Sequence, residues 1–433
     1  MVMRAALLGL LAAILALSTI SFAHQASVSA PLLLHGRAPL TQVGSGELRV
    51  GAARVELHVP PRGPIAGYPA WRRDDGHGEP LFVRALAIEQ GPLSALLVSL
   101  PLLMVSGPLE EAIVQRASIS PASCALIAAT HTHSGPGGTW DDLLVEIGGN
   151  GLYSRERADA VVQAAVDAIA QARASLKPAR VAGASDRWAD GPAVARSGEL
   201  DPSLGVARFV DADGRPIASV VIYGMHATVI PRSVHHLSGD WPEAAAQQLE
   251  RSSGAPALVL QGAGGNATFS REGIAADPQR AVEQIGARVA TAAARELSGA
   301  PLAETTQPLS CGTKIVVLPE PRAALSVAWP LRRAAGNLLR IFAERAAVAS
   351  SLTLPGLALR GIPGEPTGAL AHAGRGPDNR AEIFVGLADG YVGYVESAEH
   401  WTLAEGESAR TWYGPALAAA LGLESAAPRE MGK

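Results

Sequence analysis

Two patterns of apolar positions take turns along the chain: short unbroken runs, and longer stretches in which apolar residues return at helical spacing. Leu81 to Ile88 alternates in part, as a half-buried strand does. Ala95 to Val105 is almost continuously apolar and predicts a strand buried on both faces. Leu126 to Ala129 is a third run, and it leads directly into Thr130-His131-Thr132-His133. Residues 155–176 set alanines and valines at the helix period, with polar residues between them. Residues 204–210 and 217–225 flank Asp211-Ala212-Asp213-Gly214 and predict a hairpin. Trp241 to Arg251 predicts a helix with Asp240 as its N-cap. Ala257 to Leu260 is a short strand ending at a glycine-rich turn, and residues 278–297 are helical again. Pro/Gly-rich residues 59–69 and 73–80 read as loops. Strands alternating with helices predict an α/β domain with mixed β-sheets flanked by helices. No internal repeat or heptad array interrupts the pattern.

The first 23 residues stand apart. Arg4 supplies a positive start, Ala5 to Ile20 are apolar, and Ser21-Phe22-Ala23 has the small-x-small form of a cleavage site. The run falls short of the roughly 20 apolar residues of a spanning helix, and no cysteine follows it to carry a lipid. The expectation is an exported protein with residues 1–23 as signal and 24–433 as one domain, an anchor through residues 5–20 being the alternative. Residues 324–348 are Ala/Leu/Arg-rich, with Arg332, Arg333, Arg340 and Arg345. They predict a surface helix over the core, peripheral contact with a membrane being the other option. The formal net charge of −4 and the lack of a basic stripe exclude a nucleic-acid binder. The two cysteines, Cys124 and Cys311, cannot build a thiolate zinc site or a disulfide framework. They read as isolated buried small residues, with pairing as the alternative. Any metal site must therefore come from histidine and carboxylate.

The chemistry-bearing residues gather where strands end, which is where open α/β sheets place their ligands. His131 and His133, at i and i+2 in extended chain, would face one cavity, and the following Ser134-Gly135-Pro136-Gly137-Gly138 lets a substrate approach the backbone. His226 ends a strand in a similar way. Glu365 sits in Pro363-Gly364-Glu365-Pro366, a tight turn that would hold its carboxylate. His235 and His236 read as loop residues. Catalytic zinc takes three protein N/O ligands or a little more and keeps a place for water. Two histidines, a glutamate and one further oxygen would suit it.

The segment His131-Thr132-His133-Ser134-Gly135-Pro136-Gly137-Gly138 resembles the zinc-site signature of the neutral/alkaline ceramidases. Ala195-Arg196-Ser197, His226-Ala227-Thr228, Ser238-Gly239-Asp240, Pro363-Gly364-Glu365, Gly386 to Val395 and Tyr413-Gly414-Pro415 follow in the family's order. The resemblance implies zinc held by His131, His226, Glu365 and Tyr394, with Tyr391 as the competing tyrosine. It places His133 against the substrate as an acid–base or hydrogen-bonding partner, and Arg196 as a cation lining the site. It also implies one catalytic domain of the neutral ceramidase type that hydrolyses ceramide or a similar lipid amide.

Two departures qualify the resemblance. Asn266 and Thr268 stand where ceramidases carry aspartate and serine, and the extra methyl of threonine restricts rotation. Attack by an activated water is therefore favoured over a threonine nucleophile. The chain also ends soon after Pro415, which leaves no C-terminal β-sandwich in the expected fold. Three functions thus stand: hydrolysis of a ceramide-like amide, hydrolysis of a smaller amide or ester, or silent binding of an envelope lipid.

Overall fold

The computed structural model describes residues 32–68, 72–303, 306–322, 343–371 and 382–424, with Asn337 and Leu339. Three sheets carry the fold. In the first, the strands run in the order Cys124–Ala129, Leu93–Leu100, Phe82–Gln90, Leu48–Glu56, Lys177–Pro178, with only the first pair parallel. In the second the order is Ala257–Gln261, Pro216–Tyr223, Ser203–Val210, Arg180–Arg187, again with one parallel pair. The third runs Leu40–Val43, Ser310–Val317, Ala346–Leu354, Leu357–Gly361, Glu382–Val385. Mixed sheets with helices are the expected class, and the bounds of most elements agree with the apolar pattern to within a few residues.

The alternation of side chains explains the layering. Leu86, Ile88 and Leu97 of the first sheet share a core with Val220, Ile222 and Leu258 of the second. Their neighbours on the opposite face, such as Val83, Leu96 and Val98, pack on Val161, Ala165 and Ile169 of the helix Arg155–Ala174. Val206, Val221 and Val259 likewise pack on Ala245, Leu249, Ile285 and Val289 of the helices Asp240–Ser253 and Pro278–Gly299. Both inner strands are covered twice, which is why they read as apolar runs.

Several expectations change. The run from Ala95 stops as a strand at Leu100, because the chain bends there to deliver Leu103 to the site. Asp240 does not cap its helix; Gly239 takes that position, and Asp240 is the first helical residue, at φ 56°. Its buried carboxylate instead accepts from Ile230 and Trp241 N–H. Cys124 and Cys311 are not isolated: they form a disulfide with Cα atoms 6.2 Å apart. Residues 346–348 belong to a strand, not to the predicted amphipathic helix. Residues 324–336 of that tract, and the expected signal over 1–23, lie outside the described residues. No helix among the described residues is long and apolar enough to cross a membrane.

A buried charge cluster ties these layers together. Arg37 donates to Glu110 Oε1 at 3.1 Å, to the Ala125 carbonyl at 2.7 Å and to Thr313 Oγ1 at 3.1 Å, and lies 3.6 Å from Asp389. One guanidinium faces two carboxylates, and Glu110 Oε2 has no hydrogen-bond partner. Burial, reinforced by Asp389 and opposed by Arg37, pushes Glu110 up to about 8. A carboxyl raised above its unfolded value stabilises the fold below that value and loses this contribution as pH rises through the folded one. The wild type should therefore lose stability between about pH 5 and 8. Glu110→Gln, always neutral, should flatten that slope in urea melts taken across the range; a slope identical in both proteins would contradict the assignment.

Candidate metal and catalytic site

Two strand ends and one loop build the site. The strand Cys124–Ala129 runs out into Thr130, whose N–H donates to the Leu100 carbonyl. His131 follows at φ 63°, a left-handed conformation rarely taken by residues with a side chain. The His131–His133 pair is therefore not plain extended chain. The turn at His131, rather than strand alternation, brings the two rings together, with centroids 4.8 Å apart. Thr132 bridges to Ala227, and the His133 N–H donates to the Ala227 carbonyl, so this segment lies beside the one that carries His226. Gln261 locks the two together: its Nε2 donates to the Thr130 carbonyl at 2.8 Å and its Oε1 accepts from Met225 N–H.

The third contribution comes from Glu365–Pro366, which pairs in parallel with Tyr394–Val395. Residues 386–395 reach it through a series of turns. Ala129 N–H donates to the Leu387 carbonyl, and Ile127 and Asp389 exchange two bonds. The Arg37 cluster thus holds, through Asp389, both the strand that carries His131 and the loop that carries Tyr391 and Tyr394.

The atoms converge as follows. Each of the three imidazoles turns Nδ1 to a backbone carbonyl: His131 to Leu103 at 2.9 Å, His133 to Gly67 at 2.7 Å and His226 to Gly264 at 2.9 Å. A carbonyl only accepts, so Nδ1 carries the proton in all three rings and the Nε2 lone pairs face inward. Glu365 Oε2 lies 3.3 Å from Nε2 of both His131 and His226. His133 Nε2 lies 3.4 Å from that of His131, and the Tyr394 hydroxyl 3.2 Å from that of His226. Burial, with the neighbouring imidazoles, pushes His133 well below the ordinary imidazole value and brings His226 down to about 4.

This arrangement crowds acceptors with few donors. Glu365 Oε2 is buried without a hydrogen-bond partner, a costly state unless something positive sits beside it. Tetrahedral ligands at 2.0–2.1 Å from an ion stand about 3.3–3.4 Å from one another, which is the spacing found here. The donor set therefore fits a metal ion, and His131, His133 and His226 form a group able to hold one.

The remaining predicted residues fall near the centre or support it. Arg196 donates to the Gly265 carbonyl at 2.7 Å and reaches Glu407 at 3.4 Å, close enough to Tyr394 to act on its phenol. Burial and Glu365 raise the Tyr394 phenol, with Arg196 acting against them. Thr268 lies in the short strand Ala267–Phe269, next to Ala267, whose carbonyl accepts from His226 N–H. The Thr268 hydroxyl bonds no other described residue. Asn266 is structural: it donates to the Ser197 and Glu199 carbonyls and accepts from Gly368 N–H. His235 is exposed, as expected of a loop residue.

Sequence reasoning missed three contributors. Tyr391 donates to Glu365 Oε1 at 2.7 Å, which orients the carboxylate; it was legible only as a rival to Tyr394. Tyr68 packs 5.3 Å from the His133 ring, and Arg72 donates to the His133 carbonyl at 2.8 Å. Tyr68 lies in the Pro/Gly-rich residues 59–69, and Arg72 falls just before residues 73–80, where no periodicity marks it. Gly67 was the available signal: at φ 113°, a Cβ there would meet His133 Cα at 2.5 Å.

Fold and side-chain cluster together define an α/β protein with a buried histidine–carboxylate group, able to hold a metal ion, at the ends of its strands. Residues 64–277 match the family described as neutral/alkaline non-lysosomal ceramidase, N-terminal. Over that stretch the chain is similar to the neutral/alkaline ceramidase family. Among curated relatives, neutral ceramidase A of Dictyostelium discoideum is 29% identical over 130 residues, 27% of this chain and 18% of that protein. Neutral ceramidase of Pseudomonas aeruginosa is 28% identical over 158 residues, 33% of this chain and 23% of that protein. The matched stretch is thus about a fifth of each relative's length. The crystal structure of the Pseudomonas aeruginosa neutral ceramidase superposes with a TM-score of 0.74 at 20% identity, covering 87% of this chain and 73% of that one. That similarity establishes a shared fold.

Proposed function

We propose that this protein hydrolyses the N-acyl bond of a ceramide-like lipid amide, giving fatty acid and amine, with zinc held by His131, His226, Glu365 and Tyr394. The observation that carries the proposal is the approach of the His131 and His226 Nε2 atoms to within 3.3 Å of the unpartnered Glu365 Oε2, with the Tyr394 hydroxyl 3.2 Å from His226 Nε2. A zinc ion would supply Lewis acidity, polarising the scissile carbonyl and lowering the pKa of water from ~15.7 towards ~7.

The chain's own groups do the rest. His133 keeps its proton on Nδ1, against Gly67, so Nε2 is free to take a proton from the attacking water and return it to the departing nitrogen. Arg196 stands beside Tyr394, where it can stabilise negative charge on the carbonyl oxygen. Tyr391 fixes Glu365 and leaves the ligand position to Tyr394. A lipid substrate suits the rim. Leu143, Ile147, Leu152 and Tyr153 are all exposed in one segment, whose Trp140 packs edge-on against Tyr391. Such an apolar rim favours peripheral contact with a membrane. The disulfide, which persists in oxidising compartments, supports export with residues 24–433 as the working domain.

Release of fatty acid from a short-chain fluorescent ceramide tests the reaction; a pure, folded protein that releases none would overturn it. Thr268 tests how the attack is made. Attack by water predicts that Thr268→Ala keeps turnover within about tenfold of wild type. A drop beyond roughly a thousandfold would make the threonine oxygen the nucleophile.

A further inference from the structure

Arg410 has no part in the chemistry described above, yet it lies against one of the residues that does. Its guanidinium carbon sits 5.6 Å from the centre of the Tyr394 ring. It is held there by its backbone: Arg410 ends the turn Ser408–Arg410, and the next residue, Thr411, bridges to Gly393 beside Tyr394. Arg196 also lies near Tyr394 and acts on its phenol. The two guanidiniums share one carboxylate. Glu407 pairs with Arg410 and lies 3.4 Å from Arg196, and it also accepts from Ser197 Oγ at 3.1 Å. Glu396, the next acid, is saturated by Thr367, Ser397, His400 and the Glu407 N–H. Glu407 is thus the carboxylate that both arginines contact directly, and Glu396 is turned away from them.

The two guanidiniums reach outward from that carboxylate. Glu407 is buried, at 5% exposure, while the Arg196 and Arg410 side chains are 30% and 54% exposed. Nε and Nη2 of Arg410 bond no other described residue, so the planar fork that matches an oxyacid is free on one edge. A surface arginine that served only its ion pair would contribute little and would not need to be pinned over a metal-site tyrosine.

We infer that Arg410 and Arg196 form a clamp for an acidic group, and that the preferred substrate is an N-acyl amide bearing a carboxylate, sulfonate or phosphate a few bonds from the scissile amide. This rests on the proposed hydrolase reading and narrows its substrate class. Arg410 determines specificity and takes no part in breaking the bond.

A matched series of N-lauroylglycine, N-lauroyltaurine and N-lauroylethanolamine tests the clamp. The wild type should turn over the two acidic amides with a higher kcat/KM than the neutral one. That ratio should fall about tenfold in Arg410→Ala and less in Arg410→Lys, as expected for losing a charge-assisted bond. Glycine against taurine then separates carboxylate from sulfonate recognition. Independently of turnover, N-lauroylglycine should quench tryptophan fluorescence of the chelator-treated protein, Trp412 lying 5.5 Å from Tyr391, and should bind Arg410→Ala about tenfold more weakly. A ratio and an affinity unchanged in Arg410→Ala would overturn the clamp. So would laurate, the product, losing its inhibition in Arg410→Ala while the amide ratio stayed the same, since the clamp would then serve the product. If the wild type hydrolyses none of the amides, the hydrolase proposal fails, and the fluorescence titration still decides whether the clamp binds an acid.

Discussion

On the proposed mechanism, His131→Asn should lose bound metal and slow amide hydrolysis by at least roughly a thousandfold. The reasoning starts from the backbone. His131 stands at φ 63°, which asparagine tolerates better than most residues, so the variant should fold where alanine would add strain. What it removes is one corner of the donor set: the Nε2 that lies 3.3 Å from Glu365 and 3.4 Å from His133. A Lewis acid contributes several kcal/mol of charge stabilisation in the transition state, and about 4 kcal/mol corresponds to a thousandfold in rate. His226→Ala, at an ordinary backbone position, should behave alike. Circular dichroism establishes that the fold persists, and turnover is then compared at equal protein concentration. Near wild-type hydrolysis in either folded variant would remove the metal from the mechanism.

The second large effect concerns stability. Cys124 opens the strand that ends at His131, and Cys311 lies in the strand Ser310–Val317 of another sheet. Their bond closes a loop with a sequence separation of 187 residues. In the chain-entropy account, cross-linking so long a loop removes about 5 kcal/mol worth of unfolded-state freedom. Unfolding entropy near 2.1 cal/mol/K per residue, over roughly 400 residues, converts this to a fall in Tm of about 6 °C. Cys124→Ala, and wild type melted with reductant present, should both show it. The same Tm with and without reductant would contradict a formed bond.

Much of this architecture could be read from the chain. Strands covered on both faces announce themselves as apolar runs, and the helices Arg155–Ala174 and Pro278–Gly299 as periodic ones. His131, His226 and Glu365, which the fold brings together, stand out as candidates because each follows an apolar run and because their segments resemble a known signature. What escaped has a common physical character: it depends on contacts between distant segments. The disulfide joins residues that no local pattern connects. Asp240 reads as a cap from its type, yet its carboxylate is drawn away to Ile230 N–H. Tyr68 and Arg72 lie in a stretch without periodicity, and only the fold presses them on His133. The geometry of the His131–His133 pair was hidden too, because the pair converges through a positive φ rather than through strand alternation.

Arg37 shows how far such coupling extends. It contacts no part of the site directly, but through Ala125 and Asp389 it holds two of the three segments that deliver the donor atoms. Sequence position alone gives no reason to connect residue 37 with Tyr394.

The central claim, a zinc site that drives amide hydrolysis, is tested most directly by elemental analysis of the purified full chain, with ceramide hydrolysis measured on the same sample. The account predicts about one zinc per chain, with fatty-acid release that a chelator abolishes and added zinc restores. A folded chain that releases fatty acid while free of metal would contradict it.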